Sequence, residues 1–157
     1  LSTSAMQLAR AYTVLADGGI LKPVTFIKTD KVPQGRREFS ADIMHEVVQM
    51  MVKVIEPGGT ATRAAVANYH VAGKTGTAKK AISGGYADKR YQSVFAGIIP
   101  ASAPRLAMVV MIDEPQGEYY GGAVAAPVFA EVMTGAMRLL NIPPDDLPMT
   151  QMQVAHK

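Results

Sequence analysis

The residues of this chain best suited to chemistry form the run GKTGTA at positions 73–78. A lysine, a small hydroxyl residue and a glycine in succession on an edge strand can form one wall of a site that transfers an acyl group to a serine. Gly76 lacks a Cβ, so a substrate backbone can approach it closely. The hydroxyls of Thr75 and Thr77 suit a substrate carboxylate, with Lys74 as a positive charge behind them. The backbone N–H of Thr77 can then serve as half of an oxyanion hole.

Two other interpretations of this run are open. The simpler is a basic, glycine-containing strand end, because three specified residues also occur together by chance. The second is a phosphate-binding loop, since Gly73-Lys74-Thr75 matches the end of a Walker A motif. That motif needs a glycine where this chain has Asn68, and a helix where this chain continues towards a hairpin. The phosphate loop is therefore disfavoured.

The composition is that of one globular domain. Of the 157 residues 48% are hydrophobic and 18% charged, which argues against a disordered chain. The net charge of +3 is mild and no basic face is interleaved with aromatics, so we expect no nucleic-acid partner. The absence of cysteine suits an exported protein. The sequence shows no signal peptide and no membrane-length apolar run, and Leu1 opens directly into a helical pattern, so we expect a piece of a longer chain.

Two amphipathic helices are predicted in the first third of the chain. Ser4 begins the first as a capping box with Gln7, and glycines 18 and 19 end it. Ser40 caps the second, whose apolar stripe is predicted at five positions: Ile43, Val47, Met50, Met51 and Val54. Between them, residues 23–32 are strand-like and residues 33–35 form a turn. A short helical turn is predicted over residues 60–66.

Three strands are predicted next, at about 69–79, 91–99 and 105–112. The short connections at 83–85 and 100–104 make neighbouring strands antiparallel. The third strand is apolar at every position from Leu106 to Ile112, so both of its faces should be covered. A long helix then follows Gly121-Gly122, carries Pro127 in its first turns and ends at Asn141. This order of helices and strands predicts an α+β domain over residues 1–141, built of a three-stranded antiparallel sheet with helices on both faces. A C-terminal tail over residues 142–157 should follow.

Several short motifs together point to one family. The run at 73–80 is accompanied by PGGT at 57–60, FAG at 95–97, YYGG at 119–122 and APVF at 126–129. In combination they resemble the C-terminal part of the transpeptidase domain of class B penicillin-binding proteins, which shares its fold with the serine β-lactamases. Within that family the resemblance is to the division-specific branch of Gram-negative bacteria, and it covers about residues 1–148.

The resemblance implies a peptidoglycan D,D-transpeptidase that cross-links stem peptides at the division septum through an acyl-serine, which β-lactams also form. It implies a periplasmic domain on a protein anchored in the inner membrane, no cofactor, and membrane proteins of the division machinery as partners. It also implies that Lys74 and Thr77 are catalytic, Thr77 through its backbone amide at the oxyanion. The substrate-binding residues that it implies are Thr75, Gly76, Thr77, Tyr91 and Tyr120. For the two tyrosines, ordinary half-buried packing is an equally good account.

The chain departs from that family in having neither Ser-x-x-Lys nor Ser-x-Asn. In the family the first supplies the nucleophile with its lysine base, and the second a proton-relay serine. Loss of a nucleophile costs on the order of 10⁶ in the turnover of a serine hydrolase, so we expect this chain alone to be inert. The remaining N-terminal part of the same protein would complete it. The strand around 106–112 should then have an unpaired edge within this chain.

Other residues with chemical potential are weaker candidates. His45, His70 and His156 are far apart without ligand spacing, so no metal site is predicted. Asp113 and Glu114 end a strand, and neighbouring strand residues should face opposite ways, which favours a solvated end over an acid–base pair. Four cations should lie on a solvated hairpin: Lys79, Lys80, Lys89 and Arg90.

Two further functions stay open from the sequence. One is a binding module, either a penicillin-recognising sensor or a non-catalytic scaffold. The other is a hydrolase on the same fold, either a β-lactamase or a D,D-carboxypeptidase.

Overall fold

The chain folds as an α+β unit, as the sequence predicts. The structure is a computed structural model and describes residues 3–82 and 84–147. A short 3-10 turn at Thr62–Ala64 lies between the second helix and the central sheet. The helices and strands follow in the order α1 (Ala5–Ala16), β1 (Ile20–Leu21), β2 (Arg36–Arg37), α2 (Ala41–Val52), β3 (Ala72–Ile82), β4 (Gly85–Ile99), β5 (Leu106–Asp113), α3 (Gly121–Val124) and α4 (Ala126–Leu139).

The first two helices begin at the serines that the sequence indicates. The Ser4 hydroxyl accepts from the N–H of Gln7, whose side chain accepts from the Ser4 N–H at 2.9 Å, so the capping box is confirmed. The Ser40 hydroxyl accepts from the N–H of Ile43 in the same way at the start of α2. Both starts depend on residues within one turn of the cap, which is why the sequence locates them well.

The predicted apolar stripe of α2 is wrong at Ile43 and Met50, whereas Met51 and Val54 pack against the core. Met44 and Val48 are the buried residues of this helix, whereas Ile43 and Met50 are more than half exposed. Apolar residues occupy both sides of α2, so two stripes displaced by one residue fit the sequence equally well. Val48 packs with Ala72 and Ile98 of the sheet, and this contact selects the side of the helix that carries Met44 and Val48.

The strand predicted over residues 23–32 is also absent. The chain pairs instead at its flanks, where Ile20 lies opposite Arg37 and Leu21 opposite Arg36. Phe26 and Ile27 lie in irregular backbone and are 87% and 80% exposed. A β-rich composition makes a strand only where a partner strand is within reach, and none lies beside this segment within the described residues.

The central sheet has the order β3-β4-β5 and is antiparallel throughout, which confirms the predicted meander. β4 is longer than predicted because its first residues pair back onto the end of β3, with Ile82 opposite Gly85. Ser83, in the predicted connection, lies outside the described residues. β5 pairs with β4 alone among the described strands, so its outer edge is unpaired there, as predicted. The prediction that both faces of β5 are fully covered is wrong, because six of its residues are half-buried while Met111 and Asp113 are exposed.

Two apolar clusters pack on the two faces of the sheet. Phe95 and Phe129 meet edge to face, with ring centroids 4.9 Å apart, and anchor α4 on one face. Ile98 packs with Val48 of α2 and with residues of α1 on the other face. Residues of β4 therefore alternate between the clusters, as the two-residue period of a strand requires. The sheet is held rigidly from both sides, which fixes the position of β3.

The segment after α4 packs against the domain. Ile142 is buried and its carbonyl accepts from the Tyr69 hydroxyl at 2.6 Å. The Asp145 carboxylate accepts from the backbone N–H of His70 at 2.7 Å and from the Ser102 hydroxyl at 2.7 Å. The division into a domain and a tail after residue 141 stays a prediction, and residues 148–157 lie outside the described residues. No helix in the described part of the chain has the length and apolar character needed to cross a membrane.

Candidate active site

The outer edge of β3 presents unpaired backbone groups. The carbonyl of Tyr91 in β4 accepts from the N–H of Glu114, so at Tyr91 and every second residue after it β4 bonds towards β5. The alternate residues of β4, such as Val94, therefore bond towards β3. Because the register places Gly76 opposite Val94 and Thr77 opposite Ser93, Gly76 is the ladder-bonded residue. The N–H of Thr77 consequently faces away from the sheet, at an edge that no described strand covers.

The side chains of the GKTGTA run divide between the two faces of the sheet. Thr75 lies opposite the buried Phe95, so Thr75 and Thr77 are on the face that α3 and α4 cover. Lys74 lies opposite Ala96, on the face of α1 and α2, and is exposed. Its ammonium donates to the neighbouring Thr75 carbonyl at 3.2 Å, and no carboxylate of the described residues pairs with it. The lysine charge is therefore available beside the open edge.

Helix α3 is seated directly on this strand. The N–H of Gly121 donates to the Thr77 hydroxyl at 3.1 Å. A Cβ at Gly121 would meet the carbonyl oxygens of Gly76 and Val94, and one at Gly122 would meet the carbonyl oxygen of Thr60. Glycine is required at both places because backbone approaches backbone without room for a side chain. The YYGG motif is thus the point at which the segment after β5 docks on the GKTGTA strand.

The segment before β3 contacts both β3 and α3. The Thr60 and Thr75 hydroxyls lie 3.3 Å apart, within hydrogen-bond distance. The Arg63 guanidinium, one turn further on, donates to the carbonyl of Ala123 at 2.8 Å and so holds α3 from its other side. The PGGT motif and the 3-10 turn therefore contact both parts of the site. The sequence alone predicts no contact for this motif.

Three tyrosine rings are in contact at the end of the sheet: Tyr91 and Tyr120, which the resemblance places in the site, and Tyr119. Tyr91 stacks on Tyr119, with ring centroids 4.2 Å apart and planes within 10°, and Tyr119 in turn contacts Tyr120 at 4.5 Å. The Tyr119 hydroxyl donates to that of Tyr120, which raises the pKa of Tyr119. The carbonyl of Tyr119 accepts from the hydroxyl of the buried Ser93. Sequence reasoning missed Tyr119, although its position next to Tyr120 in YYGG was a signal for it.

The prediction that Asp113 and Glu114 face opposite ways is wrong. Both carboxylates bind the Lys80 ammonium, at 2.8 Å and 2.7 Å, and Glu114 also binds the Arg90 guanidinium. Glu114 has a φ of +51°, outside the strand conformation, and this turns its side chain to the same side. The ion pairs with Arg90 and Lys80 lower the pKa of Glu114 to about 2.

Lys80 and Arg90 lie on the hairpin of β3 and β4, as predicted, and with Asp113 and Glu114 they form a solvent-accessible ion-pair cluster. The bond to Lys80 also lowers the pKa of Asp113, and its two carboxylate partners raise the pKa of Lys80. Lys79, beside Lys80 on the strand, is exposed. No three His, Asp or Glu side chains within residues 3–82 and 84–147 are grouped so that they could hold a metal ion.

Comparison with known proteins identifies the family. Residues 1–134 match the sequence profile described as "Penicillin binding protein transpeptidase domain". The chain belongs to the penicillin-binding protein transpeptidase family. It is 48% identical over 145 residues to the "Probable peptidoglycan D,D-transpeptidase PenA" of Neisseria meningitidis, covering 92% of this chain and 25% of that protein. It is 46% identical over 148 residues to the "Peptidoglycan D,D-transpeptidase FtsI" of Escherichia coli K12, covering 94% of this chain and 25% of that protein.

A solved structure of the same family supports the fold. The apo transpeptidase domain of Burkholderia pseudomallei penicillin-binding protein 3 matches with a TM-score of 0.85 and 44% identity, covering 93% of this chain and 45% of that one. The fold predicted from the resemblance is therefore confirmed. The chain covers 25% of the length of each of the two curated transpeptidases named above.

Proposed function

We propose that the protein carrying this chain is a peptidoglycan D,D-transpeptidase of cell division. A serine hydroxyl from the remaining N-terminal part attacks the carbonyl of the penultimate D-Ala of a stem peptide. The C–N bond to the last D-Ala breaks, and that residue leaves with a proton on its amine. The acyl group then passes from the serine to an amine of a neighbouring stem peptide. A β-lactam acylates the same serine but keeps its leaving amine tethered.

The observation that carries this proposal is the open edge of β3, where the Thr77 N–H faces outward. A peptide or a β-lactam that aligns along this edge places its carbonyl oxygen within reach of that N–H. One such donor contributes on the order of 10² to 10³ in rate because it stabilises the negative oxygen of the tetrahedral intermediate. Gly76, the residue before Thr77, has no side chain that could block the approach of the substrate to the edge.

The other site residues supply charge and shape. The Lys74 ammonium, without a carboxylate partner among the described residues, attracts the carboxylate of the stem peptide or drug. Thr75 offers a hydroxyl on the same strand. Tyr91 and Tyr120 form an aromatic wall together with Tyr119, at the end of the site.

We further propose that this domain lies in the periplasm on a protein anchored in the inner membrane. Its partners there are the membrane proteins of the division machinery. The domain of residues 1–141 completes its sheet with strands from the N-terminal part, which cover the outer edge of β5.

Labelling with a fluorescent penicillin tests the function in the complete protein. We expect stable labelling of the unaltered enzyme. Lys74→Ala should be labelled about 100-fold more slowly, because this is the typical cost of losing one contact that stabilises charge in the transition state. Lys79→Ala is the matched control, because it removes the same charge from the opposite face of the same strand. Rapid release of the label would indicate a β-lactamase, and equal labelling of both variants would remove the role given to Lys74.

A further inference from the structure

The segment between β5 and α3, residues 114–120, carries two of the three wall tyrosines and is held at both ends. At its C-terminal end the Ser93 hydroxyl donates to the Tyr119 carbonyl, and Gly121 is bonded to Thr77. At its N-terminal end the N–H of Glu114 donates to the Tyr91 carbonyl at 2.8 Å. The residues between the two ends have no regular secondary structure. The position of the wall therefore depends on how firmly each end is held.

Glu114 holds the N-terminal end by joining three strands at one carboxylate. Its Oε1 accepts from Lys80 of β3 at 2.7 Å and from Arg90 of β4, while the residue itself directly follows β5. Its carbonyl also accepts from the side-chain amide of Gln116 at 3.1 Å, which curls the segment back on itself. Charge-assisted bonds of this kind are the stronger class of hydrogen bond. The Glu114 side chain is 33% exposed, so water screens these bonds only in part.

The space beside the wall makes this restraint necessary. A solvent-open cleft of about 420 Å³ lies between the end of the sheet and the segment, lined by Lys89, Arg90, Tyr91, Glu114 and Tyr119 among others. Side chains facing a cleft of this size can rotate or shift into it, since no packed neighbour resists them. The stacking of Tyr91 on Tyr119 alone contributes about 1 kcal/mol, which is too little to exclude other arrangements.

We propose that Glu114 is a positioning residue that fixes the wall of Tyr91, Tyr119 and Tyr120 for the side chain of the bound donor. This inference rests on the proposed function, and it assigns to the ion-pair cluster a part in substrate selection. Glu114 does not touch the substrate itself. It acts by tying the start of residues 114–120 to Lys80 and Arg90.

The test compares Glu114→Gln with Glu118→Gln in the complete enzyme. Both variants remove one negative charge from the same segment, but Glu118 is exposed and its side chain makes no hydrogen bond or ion pair among the described residues. Acylation is measured with benzylpenicillin, whose phenyl group can contact the wall, and with 6-aminopenicillanic acid, which lacks that group. The binding constant is separated from the acylation rate by varying the drug concentration.

We expect Glu114→Gln to weaken the binding of benzylpenicillin about tenfold and that of 6-aminopenicillanic acid less than threefold, with the acylation rate at saturation little changed. Glu118→Gln should bind both drugs as the unaltered enzyme does. Glu114→Asp retains the charge and should restore part of the preference for benzylpenicillin. An unchanged ratio between the two drugs in Glu114→Gln, or an equal loss in Glu118→Gln, overturns the inference.

Amide hydrogen exchange gives a second measurement that does not depend on activity. Faster exchange over residues 116–120 in Glu114→Gln, and not in Glu118→Gln, supports the restraint, whereas identical exchange in the two variants overturns it. If the unaltered enzyme is not labelled by either drug, the proposed function fails. Exchange then still decides whether Glu114 fixes the tyrosine segment.

Discussion

The backbone N–H of Gly121 donates to the side-chain hydroxyl of Thr77 across 3.1 Å, and this contact joins the start of α3 to the strand of the active site. The two residues are 44 positions apart in the sequence. The same hydroxyl that the family resemblance assigns to substrate binding thus also supports the fold. Because the hydroxyl only accepts from Gly121, its O–H stays free to donate to the substrate carboxylate that we propose for this site.

Substitution of Gly121 by alanine should destabilise the domain by about 1–3 kcal/mol. The added Cβ meets two backbone oxygens of β3 and β4, which cannot move without breaking the ladder between the strands. Gly135→Ala is the matched control, because a Cβ there meets nothing within 4 Å and alanine favours the helix by roughly 0.5–1 kcal/mol. Urea denaturation of the complete protein measures both. Equal stability of the two variants would show that α3 is not seated on the strand.

Substitution of Thr77 by valine should cost about 1–3 kcal/mol of stability. Valine keeps the shape of threonine but leaves the N–H of the buried Gly121 without its acceptor. Thr77→Ser keeps a hydroxyl and should lose less than about 1 kcal/mol. The midpoints of thermal unfolding distinguish the two cases, and a valine variant as stable as the serine variant would contradict the importance of the bond.

Acid should weaken the ion-pair cluster below about pH 4.5. The pKa of Glu114 is lowered from 4.5 to about 2, so its contribution to stability is complete above 4.5 and is lost as the pH falls through 2. Asp113, whose pKa is also lowered by Lys80, acts in the same direction. We expect the unfolding temperature of the unaltered protein to fall more steeply between pH 4.5 and 2 than that of Glu114→Gln. Parallel curves for the two proteins would contradict this assignment.

Asp145 should anchor the segment that follows α4. Its carboxylate accepts three bonds, from the His70 N–H and from both the N–H and the hydroxyl of Ser102. Asp145→Ala should therefore cost about 1.5–3 kcal/mol, the range for bonds to a charged group. Ser102→Ala removes one of the three bonds and should cost about 1 kcal/mol. Limited proteolysis should cleave after α4 faster in Asp145→Ala, and an unchanged cleavage rate would show that the segment is held by other contacts.

Local signals in the sequence predicted the framework of the fold. Residues that are close together in the chain indicate the helix starts at Ser4 and Ser40. They also indicate the three antiparallel strands and the position of GKTGTA. The resemblance predicted the family, because several motifs occur together in this chain although each one alone is common. The outward direction of the Thr77 N–H depends on the register between β3 and β4 as well as on the assignment of β3 as an edge strand.

Features that depend on distant contacts could not be predicted. The choice between Ile43 and Met44 as the buried side of α2 is made by the sheet, since the helix is apolar on both sides. Phe26 has a strand-like sequence but no partner strand among the described residues. The positive φ of Glu114 brings its carboxylate round to Lys80, which the alternation of a regular strand does not allow.

The central claim, that the Thr77 N–H faces the substrate at the open edge of β3, is tested most directly by comparing Thr77→Pro with Thr77→Ala in the complete enzyme. Both variants lose the hydroxyl, but only proline also lacks the N–H, and proline is tolerated on an edge strand where the N–H points away from the sheet. The account predicts that both fold and that labelled penicillin reacts about 10² to 10³ times more slowly with Thr77→Pro than with Thr77→Ala. Equal labelling rates for two folded variants would contradict it.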